Sequence, residues 1–158
     1  MMHLKSYPQL FETTYKNVWF SLYHGSNKRM KLGTIITSRS DGYTSMESER
    51  EIEDLFEKYK PANKISRKNC VYMVSNPDDI DAAGGYSDYI YMVNPIGPID
   101  KSDLSWYAEV DGLLHDKNKN IKIIKSYINN YWTGVQYKTK EHSLFEYRAN
   151  SAKIIEIV

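Results

Sequence analysis

Four short stretches of this 158-residue chain carry side chains able to do chemistry. The first is Tyr23-His24-Gly25-Ser26. Gly25 has no side chain, so a flat ligand can reach the main chain there, and a peptide N–H and C=O together pair with a carboxamide. His24 beside it can hydrogen-bond a sugar hydroxyl. Tyr72 and Tyr86, in the second and third stretches, offer two rings between which a planar group can be held. In the fourth, Glu146 lies between Phe145 and Tyr147. A carboxylate fixed on a strand stabilises positive charge developing on a bound sugar. It can also polarise an incoming nucleophile. Plainer readings stand beside these: a core histidine, packed tyrosines and a solvated strand carboxylate.

The elements that must position these groups are readable in outline. Residues 18–23 form a strand-like run leading into His24. An apolar stripe of Met46, Ile52, Leu55, Phe56 and Tyr59 predicts a helix over 46–59, with Thr44 and Glu47 as a capping box and Pro61 as its stop. Residues 71–74 read as a strand carrying Tyr72. Asn76 and Pro77 then open a helix of about two turns, ended by Gly84 and Gly85 ahead of Tyr86. Residues 89–93 form the best strand, broken by Pro95 and Gly97. Helices follow at 104–114, weakened by Gly112, and at 119–132, closed by Gly134. Residues around Glu146 and those at 152–158 are strands. Strands at both ends with helices between hairpin-like runs argue for an α+β domain rather than regular βαβ winding.

Composition narrows the function. One domain is expected for this length. With 21 basic and 20 acidic side chains the net charge is +1, which gives no general field for a polyanion. Cys70 is the only cysteine, so no internal disulfide forms and a reducing, cytoplasmic setting is expected, with Cys70 buried and inert. No run of about 18 apolar residues offers a membrane span, and residues 1–6 lack the apolar stretch of a signal peptide. His3, His115 and His142 lack metal-ligand spacing, and Asp78, Asp79 and Asp81 are read as helix-start charges, so no metal is expected. Dinucleotide GxGxxG, P-loop and nucleophile-elbow patterns are missing.

In their order, these stretches resemble the ADP-ribosyltransferase superfamily, in its His-Tyr-Glu branch. Tyr23-His24-Gly25-Ser26 is similar to the family's Tyr-His-Gly-Thr. Tyr89-Ile90-Tyr91-Met92-Val93-Asn94-Pro95-Ile96-Gly97-Pro98 resembles the rifamycin enzymes' Tyr-Ile-Tyr-Ile-Val-Glu-Pro-Thr-Gly-Pro. The stretch from Tyr72 to Tyr86, ending Asp81-Ala82-Ala83-Gly84-Gly85-Tyr86, and Ser143-Leu144-Phe145-Glu146-Tyr147 are closer to the diphtheria-toxin-like enzymes. Together the blocks cover about half the chain.

The resemblance implies a split, mostly antiparallel pair of β-sheets with flanking helices and an NAD cleft. It implies mono-ADP-ribosyl transfer, with NAD as co-substrate. Glu146, His24 and Tyr72 would be the catalytic group, and His24, Gly25, Ser26, Tyr72 and Tyr86 the NAD-binding set. The rifamycin enzymes place their acid soon after the Gly-Pro turn, where this chain has Asp100 and Asp103, so these two remain alternatives to Glu146. The acceptor is expected to be a macromolecule, protein before nucleic acid and small molecule last. It would be met by the helix at 46–59, the polar stretch 116–120 and a mobile loop at 130–142 tipped by Tyr131, Trp132 and Tyr137. Two rivals are an RNA 2′-phosphotransferase-like enzyme, for which the sequence shows no arginine cluster, and a non-catalytic binding or inhibitor module on the same fold.

Overall fold

The computed structural model describes residues 20–38, 50–116 and 119–158. It is a mixed α+β structure in which every strand pairing described is antiparallel. Strands β1 (Leu22–Ser26), β2 (Ile35–Thr37), β4 (Tyr89–Ile96) and β7 (Ser151–Ile157) form one sheet in the order β1-β4-β7-β2. Strands β3 (Val71–Met73), β5 (Asp100–Asp103) and β6 (Phe145–Ala149) form a second in the order β3-β6-β5. Among the described residues one bridge joins the two sheets: Tyr23 N–H donates to the Val74 carbonyl at 2.8 Å, and Val74 N–H donates back at 2.9 Å.

Side chains alternate across a strand, and this sorts the two faces of the second sheet. Val71, Met73, Tyr147 and Ala149 point toward the first sheet. There they join Leu22, Ile36, Tyr91, Val93, Ala152 and Ile154 in one buried core. Tyr72, Glu146 and Arg148 lie on the opposite face, which meets the helices. Helices α1 (Arg50–Lys58), α2 (Leu104–His115) and α3 (Ile121–Trp132) bury a second core of Ile52, Phe56, Trp106, Val110, Ile124, Ile128, Tyr131 and Trp132. The four described residues of the predicted α1 stripe all face this core: Ile52 and Phe56 are buried, with Leu55 and Tyr59 packed beside them. Residues 46–49 and the Thr44–Glu47 capping box lie outside the described residues.

Several expectations are corrected. The two-turn helix after Asn76 is a single 3₁₀ turn, Pro77–Asp79, followed by turns to Gly84. Asn76 does cap it, its side chain accepting from Asp78 N–H. Strand β4 does not stop at Val93 but runs through Pro95 to Ile96. β1 pairing ends at Val93, so Pro95 falls where β4 has a neighbour on one side only, a position at which a strand tolerates the missing N–H. Gly112 does not interrupt α2. The expected close of α3 at Gly134 is present: Gly134 has φ +74°, and Val135 N–H returns to the Asn130 carbonyl at 3.0 Å.

Asp103 is a structural keystone rather than a candidate acid. It is fully buried and caps α2, its Oδ1 accepting from Ser105 N–H at 3.0 Å and Leu144 N–H at 3.1 Å. Its Oδ2 accepts from Tyr137 N–H at 2.8 Å. Burial alone would raise the carboxyl, but these N–H donors and Ser143 outweigh it, and the group titrates below the usual aspartate range. A lowered folded pKa contributes stability that is present above the unfolded value and lost as pH falls through the folded one. Asp103→Asn is therefore expected to cost about 1–2 kcal/mol at neutral pH. It should also flatten the acid limb of stability against pH, read by urea denaturation between pH 2 and 7. An unchanged acid limb would contradict this role.

Candidate functional site

The described residues enclose a cleft of about 320 Å³ between α2, the second sheet and the end of β1. Its walls include His24, Gly25, Tyr72, Tyr86 and Glu146, five of the six residues singled out in the sequence. They come from four separate segments, and the Tyr23–Val74 bridge brings β1 beside β3.

Each group is held by its own local structure. Along a strand, successive peptide units face alternate sides. Tyr23 pairs with Val74, so His24 turns to Tyr91 on β4, and the N–H and C=O of Gly25 turn back to the Val74 side. The pairing with β3 does not continue past Tyr23, and Gly25 lines the cleft. Gly25 is required on steric grounds as well. A Cβ at this position would stand 2.0 Å from the Tyr86 carbonyl oxygen and 2.5 Å from Ile80 Cγ2. The segment from Ile80 to Tyr86 thus lies directly on β1, leaving Tyr86 partly exposed at the rim.

His24 Nδ1 lies 2.8 Å from the Tyr72 carbonyl. A carbonyl only accepts, so Nδ1 carries the proton in this contact and the ring orientation is fixed. The Tyr72 hydroxyl donates to the Arg67 carbonyl at 2.5 Å. Burial pushes the Tyr72 phenol up, so it stays protonated. Ser26 departs from expectation: it is fully buried, does not line the cleft, and its hydroxyl accepts from Lys28 N–H at 3.0 Å in a local turn.

Glu146 sits in a network that sequence reasoning missed. Its Oε1 accepts from Arg67 Nη1 at 2.6 Å, from Arg148 Nη1 at 3.1 Å and from the Tyr131 hydroxyl. Arg67 also holds Glu53 of α1 through Nε at 3.0 Å and Nη2 at 3.0 Å. Its guanidinium packs against the rings of Tyr72, Tyr107 and Tyr131. Two carboxylates therefore face two guanidinium groups, and the cluster is charge-balanced out of water. Arg148 could have been found from sequence, because it stands two residues after Glu146 on a strand and so shares its face. Arg67 gives no local signal, since it reaches the site from the loop before β3.

The alternative acids fall elsewhere. Asp103 is the keystone described above. Asp100 Oδ2 accepts from Ile65 N–H at 2.5 Å and faces Lys64. Neither lines the cleft.

No protein-family model and no curated protein matches the chain.

Two further expectations are settled by placement. Trp132 is not a loop tip: it is fully buried at the end of α3, its Nε1 donating to the Phe56 carbonyl at 3.0 Å. The apolar run of α3 pulls it into the helical core. Tyr131 is equally buried. Tyr137 is half-buried, held by Glu109 through its hydroxyl and packed edge-on against Trp106. Within the 130–142 stretch Thr133, Val135 and Gln136 are exposed, and so is the polar run from Lys138 to His142.

Cys70 is buried, as expected, and burial pushes its thiol up to about 12. Almost no thiolate exists at neutral pH, and the thiolate is the nucleophile. Folded protein at pH 8 is expected to leave Cys70 unmodified by Ellman's reagent over the time in which denatured protein reacts fully. Equal rates in the two states would contradict this. Among the described residues, no helix is long and apolar enough to cross a membrane, and no group of three or more metal-ligating side chains occurs.

Proposed function

We propose that this protein is an NAD⁺-dependent mono-ADP-ribosyltransferase of the superfamily its sequence resembles, and that its two packed antiparallel sheets are that superfamily's fold. The observation that carries the reading is convergence: His24, Gly25, Tyr72, Tyr86 and Glu146, far apart in sequence, line one cleft. In this reading the Gly25 peptide edge pairs with the nicotinamide carboxamide. Tyr72 and Tyr86 flank the ring, and His24 holds a ribose hydroxyl. The bond between nicotinamide and ribose breaks with its electron pair leaving on nicotinamide. Positive charge then develops on the ribose, and Glu146 stabilises it. An acceptor nucleophile forms the new bond to the same ribose carbon and gives up its proton.

For the acceptor we propose a macromolecule, protein before nucleic acid. The exposed polar stretch from Lys138 to His142, just before the strand that carries Glu146, supports a surface contact in place of the aromatic tip first expected. The single buried thiol fits a reaction in a reducing, NAD⁺-containing compartment. The test is release of nicotinamide from NAD⁺, alone and with cell extract as acceptor source, followed by mass spectrometry of biotinylated-NAD⁺ products. Label confined to small molecules would overturn the acceptor assignment.

One observation favours a non-catalytic binding module instead: two guanidinium groups already compensate the Glu146 charge. A melting-temperature shift with NAD⁺ separates the readings, because a ligand that binds only the folded state raises stability by mass action. Neither a shift nor turnover would sink the enzyme reading. The phosphotransferase reading gains little. Arg67 and Arg148 do come together, but Glu53 and Glu146 cancel their charge.

A further inference from the structure

The Tyr131 hydroxyl has one proton to donate and two lone pairs to accept with, and all three are used. It accepts from Arg67 Nη1 at 2.5 Å and from Arg148 Nη1 at 2.8 Å, and it donates to Glu146 Oε1. Tyr131 is exposed to neither solvent nor cleft: it is buried on α3, its ring edge-on to Phe56 and Trp132. The surrounding core fixes the ring, and the ring fixes the hydroxyl. Burial also raises the phenol, keeping its proton available to the carboxylate.

The contacts made by Arg67, Arg148 and Tyr131 all fall on one carboxylate oxygen, Oε1. Glu146 nevertheless lines the cleft. We propose that Tyr131 is a positioning residue for the Glu146 carboxylate: with Arg67 and Arg148 it commits Oε1 to the protein, so that Oε2 is the oxygen offered to a ligand. The oxygen given to the ligand then keeps one direction, set from the helical core, and no reorganisation is needed when charge develops opposite it. The chemical part of this inference rests on the ADP-ribosyl-transfer reading, and the geometric part does not.

The test is Tyr131→Phe in the full chain, which removes one oxygen and keeps the ring. Steady-state nicotinamide release should show kcat lowered about tenfold with KM for NAD⁺ within about twofold, the mark of an interaction that matters in the transition state. A kcat within about twofold of the parent, or a loss confined to KM, overturns the proposal. Crystal structures of parent and variant add a readout that needs no turnover. The Glu146 carboxylate should leave its single orientation in the variant, and an unmoved carboxylate overturns the proposal. Should the parent not cleave NAD⁺, the transferase reading fails and the crystal comparison alone decides the positioning. If Tyr131→Phe does not fold, Arg67→Lys replaces it. That change removes the guanidinium fork at the cleft wall and should lower kcat about fivefold by the same measurement, with the same overturning results.

Discussion

Replacing Glu146 with glutamine is expected to lower nicotinamide release from NAD⁺ by about two to three orders of magnitude in kcat, roughly 3–4 kcal/mol of transition-state stabilisation. Glutamine keeps the size and removes the charge. The positive ribose then develops opposite a neutral amide. A second effect follows from the same network. Glu146 and Glu53 balance Arg67 and Arg148, and the substitution leaves one buried guanidinium without its counter-charge. Breaking a buried pair in this way costs about 3–5 kcal/mol of stability. The variant should therefore melt well below the parent. Its kinetics must be measured well under that temperature, with near-UV circular dichroism to show that the fold is intact. A variant that is folded yet turns over NAD⁺ at the parent rate would remove Glu146 from the chemistry.

Gly25→Ala is expected to damage fold and site together. The added methyl would stand 2.0 Å from a backbone carbonyl, that of Tyr86, and 2.5 Å from Ile80. Ordinary carbon contacts need separations of about 3.5 Å, so β1 and the Ile80–Tyr86 segment must part by roughly 1 Å or more. Overpacking of this kind costs about 1–3 kcal/mol. Tyr86 moves with its own carbonyl, and the Gly25 peptide edge moves with β1. Two walls of the cleft are lost at once. The checks are a lowered melting temperature and the disappearance of any NAD⁺-dependent thermal shift. A variant as stable as the parent, with the same response to NAD⁺, would show that the segment yields freely and that Gly25 is not required.

Residues whose role is local were legible in the sequence. Asn76 caps a turn, Gly134 closes α3, and β4 and β7 announce themselves by β-branched and aromatic runs. Strand β5 was not legible. Its sequence Asp100-Lys101-Ser102-Asp103 has no β-forming character, and it is a strand because β6 pairs with it and its buried polar side chains find partners in tertiary structure. The short β2 was missed likewise, since it is held by β7 alone. At the site, the glycine, histidine, tyrosines and glutamate could be read from their types and order. What surrounds Glu146 could not, because Arg67 and Tyr131 arrive from a loop and a helix with no pattern pointing to a carboxylate on β6. Trp132 shows the reverse error: an aromatic near a loop read as exposed, when the period of α3 takes it inside.

The strand order has a consequence for synthesis. In the four-stranded sheet β7 lies between β4 and β2, and in the three-stranded sheet β6 lies between β3 and β5. These two strands, β6 and β7, come from residues 145–157. A growing chain thus makes β1 to β5 before either of them. Until residue 157 has left the ribosome, β2 has no neighbour, and β3 and β5 have no strand between them. Folding on the ribosome proceeds by whole domains, and here it waits for residues 145–157. The same delay governs assembly of the cleft. Glu146 and Arg148 are both on β6, so a chain that stops short of residue 145 has neither the cleft carboxylate nor the second guanidinium that holds it.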